Sequence, residues 1–245
     1  MRTAKTVLTV IQERGKQKKP IERVYKLLFN RELYLNAYAK LYPNNGAMTK
    51  GVTNETVDGM SIQKIDRMIE ILREEKYQWK PARREYIKKK NGKKRPLGIP
   101  VWGDKVLQEV MRQILEAYYE PQFSEHSHGF RPNRGCHTAL QEIQVWKGTR
   151  WFIEGDISQY FDTIDHKILL EILARNIHDG RFIRLVSNML EAGYLEEWKF
   201  NQTISGVPQG GVISPILANI YLNEFDNWIE EVLIPKYTKG KRQKS

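Results

Sequence analysis

Between Ile21 and Tyr42 the apolar residues Ile21, Val24, Tyr25, Leu28, Leu35, Tyr38 and Leu41 recur at helical spacing, which predicts an amphipathic helix with a basic opposite face. Asn44-Asn45-Gly46 and Lys50-Gly51 then mark a loop. Ser61 is placed to cap a helix reaching Lys76, and Tyr86-Ile87 begins a strand that turns at Lys-Asn-Gly. Asp104 predicts the cap of a long helix to Glu120, and Asn133 the start of another through Val145. An apolar run, Trp151-Phe152-Ile153, reads as a short buried strand. Helices follow over 165–177, capped by Asp165, and over 181–192. A two-stranded hairpin around Trp198 to Ile204 precedes a last helix from Ser214 to Leu233, with Ser214 as N-cap and Pro215 at the first helical position. The closing KYTKGKRQKS reads as a disordered basic end, and no internal repeat occurs.

Two stretches carry chemistry. FIEGDISQYFDTID (152–165) delivers Asp156 at the end of the apolar run, with the aromatic Phe161 five residues on. The stretch resembles polymerase motif A; the plainer reading is a turn in which Asp156 only caps. Some fifty residues later SGVPQGGVISP (205–215) forms a glycine-rich loop leading into a helix. Gly210 and Gly211 let backbone approach a ligand closely, Gln209 offers an amide beside it, and the helix N-terminus favours a negatively charged guest.

Together these motifs resemble the reverse transcriptases of mobile group II introns, also called maturases, over essentially the whole chain. Four more blocks, in the family's order, support the resemblance: GVTNETVDGM (51–60), RREYIKKKNGKKRPLGIP (83–100), SHGFRPNRGCHTAL (127–140) and LANIYLNEFD (217–226). The implied fold is α+β: right-hand polymerase fingers and partial palm, a helix-rich N-terminal extension and small antiparallel sheets. Residues 1–45 would form the extension, 46–150 the fingers, and 151–245 the start of the palm, stopping before the family's Tyr-Ala-Asp-Asp hairpin. The resemblance implies that Asp156 is catalytic and that Asp156 with the Ile157 carbonyl binds metal, two Mg²⁺ ions serving the complete site. It implies further that Arg83, Lys89, Arg95, Phe161, Gln209 and Gly210 hold the nucleotide, Phe161 rejecting a 2′-hydroxyl. Lys88, Lys90, Lys93, Lys94 and Arg131 would contact RNA. The implied partners are group II intron RNA, an RNA template with a DNA primer, and dNTPs. The oligomeric state stays open, a dimer included. With one of the metal-binding elements, these 245 residues are expected to bind RNA without extending a primer.

Charge distribution favours a nucleic-acid partner. Residues 1–100 hold 24 Lys+Arg against 10 Asp+Glu, and residues 101–245 hold 16 against 19. Eight of the thirteen residues from Arg83 to Arg95 are basic, a plausible funnel for phosphates. Cys136 is the single cysteine, which excludes an internal disulfide framework, and with His126, His128, His137, His166 and His178 scattered it argues against zinc. The lack of an apolar run of about eighteen residues predicts a cytoplasmic protein that makes no membrane contact. The resemblance leaves two other functions open. One is an RNA-binding splicing cofactor without polymerase activity. The other is an RNA-dependent RNA polymerase, against which the bulk of Phe161 argues.

Overall fold

In a computed structural model, which describes residues 2–88, 92, 94–197, 199–207 and 210–238, the chain opens with helix α1 (Ala4–Lys16). Thr3 Oγ1 accepts from the Thr6 N–H at 3.2 Å and caps it. The expected helix over 21–42 is three pieces instead: strand β1 (Ile21–Glu22), a 3-10 turn (Val24–Phe29) and α2 (Arg31–Leu41). Arg23 sits in the left-handed region at φ 54°, and the Asn30 side chain accepts from the Glu32 N–H at 3.0 Å. A local side-chain bond therefore outcompetes the continuous helix that periodicity suggests. Val24, Tyr25, Leu28 and Leu41 are buried all the same.

Ser61 caps α3 (Ile62–Arg73) as expected, accepting from the Lys64 N–H at 3.3 Å. The basic hairpin is β2 (Ala82–Lys88) and β3 (Lys94–Ile99), and α4 (Trp102–Tyr119) follows. Asp104 does not cap α4, because Val101 holds that position. Its buried carboxylate instead accepts from the Tyr77 hydroxyl at 2.6 Å and the Lys80 N–H at 3.0 Å. Helix α5 (Cys136–Gln144) starts later than Asn133, whose φ of 59° places it in a turn, and Gly135 with Thr138 closes the helix end. After α6 (Tyr160–Thr163), Asp165 caps α7 (His166–Asn176), which runs into β4 (Ile177–His178); Asp179 then caps α8 (Gly180–Leu190).

The second hairpin, β5 (Tyr194–Glu196) and β6 (Lys199–Asn201), lies a few residues upstream of its expected place, and Trp198 falls outside the described residues. Helix α9 (Ser214–Trp228) has Ile213 at its cap position, so Ser214 is its first residue; it continues through a π turn (Ile229–Leu233) into α10 (Ile234–Thr238). Lys236 to Thr238 are thus helical, and 239–245 lie outside the described residues.

The sheets are mixed rather than antiparallel. One has the order β3-β2-β5-β6, with β2 antiparallel to β3 but parallel to β5; β1 and β4 also pair in parallel, Ile21 opposite Ile177. Both parallel pairings join segments more than a hundred residues apart, which strand-by-strand reading does not reveal. Helix α4 is the centre of the core: Val106, Leu107, Val110, Met111, Ile114 and Leu115 are fully buried. Helices α1, α2 and α9 pack around it. At Gly15 a Cβ would stand 2.1 Å from the Tyr118 carbonyl oxygen, so only glycine allows α1 to lie this close.

The segment expected as a buried strand, 151–156, is neither strand nor buried. Trp151 is 87% exposed and Ile153 93%. No described strand pairs with it, so its backbone has no ladder and its side chains no opposing layer. Among the described residues no helix is long and apolar enough to cross a membrane.

Candidate nucleotide and nucleic-acid site

The motif around Asp156 is anchored downstream of the aspartate. Asp156 and Ile157 are exposed, and the chain then turns through Gln159, at φ 52°, into α6. The Tyr160 hydroxyl donates to the Ala218 carbonyl of α9 at 2.7 Å, and burial raises its phenol further above the ordinary tyrosine range, so it remains a neutral donor. Phe161 is half-buried and meets Phe130 edge to face, ring centres 6.2 Å apart.

The glycine-rich loop closes onto this helix. The Val207 N–H donates to the Phe161 carbonyl and the Gly206 N–H to the Ile164 carbonyl, both at 2.8 Å. Ser205 Oγ donates to the Asp162 carbonyl at 3.1 Å, and His166 Nε2 donates to the Gly206 carbonyl at 2.7 Å. Gly206, at φ 85°, has no room for a Cβ, which would stand 2.7 Å from the Phe161 oxygen. Three of these bonds tie the two motifs, some forty residues apart, into one unit, and His166 at the start of α7 adds a fourth to the loop.

The same loop reaches the basic hairpin. Gly210, at φ 102°, lies against β3, where a Cβ would fall 2.7 Å from Leu97 Cδ1 and 2.8 Å from the Gly98 oxygen. The Val212 N–H donates to Gln108 Oε1 of α4 at 2.9 Å. In the hairpin register Arg83 pairs with Ile99, Glu85 with Leu97 and Ile87 with Arg95. Cross-strand partners share a face, so Arg83 and Arg95 stand on the face of Leu97, against which Gly210 packs. Arg83 Nε donates to the Lys50 carbonyl at 3.0 Å, and its guanidinium also pairs with Glu85; Arg95 is exposed. On the opposite face Arg84 stacks 3.6 Å from the Tyr194 ring centre, beside a cavity of about 320 Å³ that Pro96, Asp162 and Gly206 also line. Lys88 and Lys94 pair near the tip and are exposed.

The sequence profile of the family described as reverse transcriptase (RNA-dependent DNA polymerase) matches residues 87–238, from the hairpin through both motifs to the last helix. The chain belongs to this family. It is 50% identical over 209 residues to the group II intron-encoded protein LtrA of Lactococcus lactis subsp. cremoris, covering 84% of this chain and 35% of that one. An uncharacterized 91 kDa protein in a cob intron of Schizosaccharomyces pombe is 47% identical over 237 residues, 94% of this chain and 29% of that one. The chain thus spans about a third of the length of these relatives. Among solved structures, a Cas6-RT-Cas1-Cas2 complex shares the fold at TM-score 0.55 and 20% identity, over 85% of this chain and 22% of that one.

Within this reverse transcriptase chain one expected contact residue lies inside the protein. The Arg131 side chain is 3% exposed. Its guanidinium binds Glu120 at 2.9 Å, donates to the Ser124 and Ser127 carbonyls, and lies over the Phe123 ring. With its donors spent on Glu120 and these carbonyls, it anchors the 120–131 loop from within the protein. Lys89, Lys90, Lys93 and Gln209 lie outside the described residues. Two residues beside the site were not anticipated: Phe130, whose only sequence cue is its place in the Gly-Phe-Arg-Pro block, and Arg84, masked by seven basic neighbours. Among the described residues no group of three or more His, Cys, Asp or Glu is arranged to hold a metal ion.

Proposed function

We propose that this chain is the fingers and the beginning of the palm of an RNA-directed DNA polymerase of a mobile group II intron, which also binds its intron RNA to assist splicing. In this reading 1–45 is the N-terminal extension, 46–150 the fingers and 151–245 the start of the palm. Arg83 and Arg95, with Lys89 and Gln209, receive the triphosphate, Gly210 lets the nucleotide approach the loop, and Phe161 excludes a 2′-hydroxyl. The observation that carries it is the seating of Gly210 on the hairpin face that Arg83 and Arg95 share, while the same loop is bonded to the helix of Phe161.

Divalent metal chemistry belongs to this family's reaction, but Asp156 and the Ile157 carbonyl alone do not make a Mg²⁺ site, which draws carboxylates from more than one element. Asp156 is therefore proposed as one catalytic carboxylate, and the 245 residues alone as binding RNA without polymerising. Lys88, Lys90, Lys93 and Lys94 are the proposed phosphate contacts on intron RNA and template. RNA templates with DNA primers and dNTPs are the proposed substrates, and the cytoplasm the proposed location. Filter binding of structured intron RNA together with primer extension tests the proposal. Salt-sensitive RNA binding without extension is the expected result; absence of RNA binding at low salt contradicts it.

A further inference from the structure

Phe130 is 71% exposed although its backbone stands at φ 54°, a left-handed conformation that a bulky side chain rarely adopts. Burial of its own ring therefore does not offset the strain; the fixed chain on either side of it holds the conformation. Before it, the Gly129 carbonyl accepts from Asn219 Nδ2 of α9 at 2.9 Å. After it, the buried Arg131 guanidinium ties the loop to Glu120 and to the Ser124 and Ser127 carbonyls. What these anchors present is a ring set edge to face against Phe161, at an interplanar angle of 87°. Phe161 is supported from its other neighbour too: the Tyr160 ring lies 5.7 Å away, and its hydroxyl donates to the Ala218 carbonyl. Two consecutive residues of α9, Ala218 and Asn219, thus hold both sides of one aromatic cluster.

The Phe161 backbone is fixed already, its carbonyl accepting from the Val207 N–H at 2.8 Å. What remains to it is rotation of the side chain between rotamers, and steric rejection of a sugar hydroxyl depends on where the ring stands. We propose that Phe130 is a positioning residue for sugar selection: its ring keeps Phe161 from turning away from the nucleotide sugar and so sharpens discrimination against a 2′-hydroxyl. The inference rests on the reading of Phe161 as the residue that excludes that hydroxyl, and it assigns the selectivity to two rings from separate segments. An edge-to-face pair biases orientation by roughly two- to tenfold, which sets the size of the effect.

The test measures kcat/KM for an rNTP and for the matching dNTP on one primer-template, in a polymerase-competent polypeptide containing this sequence. Taking their ratio cancels any loss of folded enzyme, and Phe130 is exposed, so its replacement leaves the core in place. Phe130→Leu should raise the rNTP-to-dNTP ratio roughly two- to tenfold, the loss of one edge-to-face pair. Phe130→Tyr, which keeps the ring, should return it to the wild-type value. In a Phe161→Val background Phe130→Leu should add nothing, because the ring it positions is gone. The proposal is overturned if Phe130→Leu leaves the ratio unchanged, if Phe130→Tyr relaxes it as far as Phe130→Leu, or if Phe130→Leu raises it by the same factor without Phe161. Weaker RNA binding by Phe130→Leu at an unchanged ratio would make Phe130 an RNA contact instead. Should Phe161→Val also leave the ratio unchanged, the nucleotide site of the proposed function falls as well; should Phe161→Val relax it and Phe130→Leu not, this inference falls alone.

Discussion

Arg131 makes clear how burial reassigns a charged residue. A guanidinium held by Glu120 and two carbonyls is costly to remove, because the partners are left desolvated without a cation. Arg131→Ala should cost about 3 kcal/mol in urea unfolding, near the lower end for breaking a buried pair. A loss within about 0.5 kcal/mol, the usual range for surface substitutions, would return Arg131 to the surface role its sequence suggests. Asp104 gives a pH signature. Burial, the largest influence, pushes its carboxyl up to about 6 from 3.8, against the opposing bonds from Tyr77 and Lys80. A raised carboxyl means that the folded state holds the proton more tightly, so this contribution is full below the unfolded value of 3.8 and is lost as pH rises through about 6. The stability of the wild type relative to Asp104→Asn should therefore fall by up to about 3 kcal/mol between about pH 4 and pH 7. A difference that stays flat or grows with pH would contradict this account. At Phe161, in a polymerase-competent polypeptide containing this sequence, Phe161→Val should raise the efficiency of rNTP use relative to dNTP use. An unchanged ratio would make Phe161 a packing residue.

At the scale of elements, Gly210 joins the hairpin to the loop. Gly210→Ala combines a disfavoured φ of 102° with a Cβ pressed on Leu97 and the Gly98 backbone. It should cost about 1–3 kcal/mol and weaken nucleotide use, read by thermal unfolding and by primer extension in the same polymerase-competent background. A neutral result would mean that the loop is free of the hairpin. Caps at Ser61 and Asp165 and the helical apolar faces were legible in the sequence because each depends on neighbours a few residues away. So was the pairing of the Asp156 motif with the glycine-rich loop, through family resemblance rather than periodicity. What escaped depends on distant partners. Asp104 looks like a cap until Tyr77 and Lys80 are seen to occupy it, β2 finds β5 in parallel across more than a hundred residues, and 151–156 has strand composition without a described strand beside it. The break at Asn30 is the exception: its cap is local, and the apolar spacing on both sides concealed it.

At the scale of the whole molecule, charge and fold divide the labour. The basic first hundred residues include the proposed phosphate contacts, while the exposed Asp156 stands in the net acidic remainder. RNA affinity should fall steeply with salt, and replacing Lys88, Lys89, Lys90, Lys93 and Lys94 by Ala should flatten the log–log slope by about 0.7–0.9 for each phosphate that is no longer neutralised. An unchanged slope in filter binding would remove the hairpin from the RNA interface. The central claim, that Asp156 is a catalytic carboxylate of an RNA-directed DNA polymerase, is tested most directly by dNTP primer extension on an RNA template. The comparison is between a polymerase-competent polypeptide containing this sequence and its Asp156→Ala variant, with RNA affinity measured in parallel. Loss of extension with RNA affinity unchanged is the expected result; extension at the wild-type rate by Asp156→Ala would contradict the account.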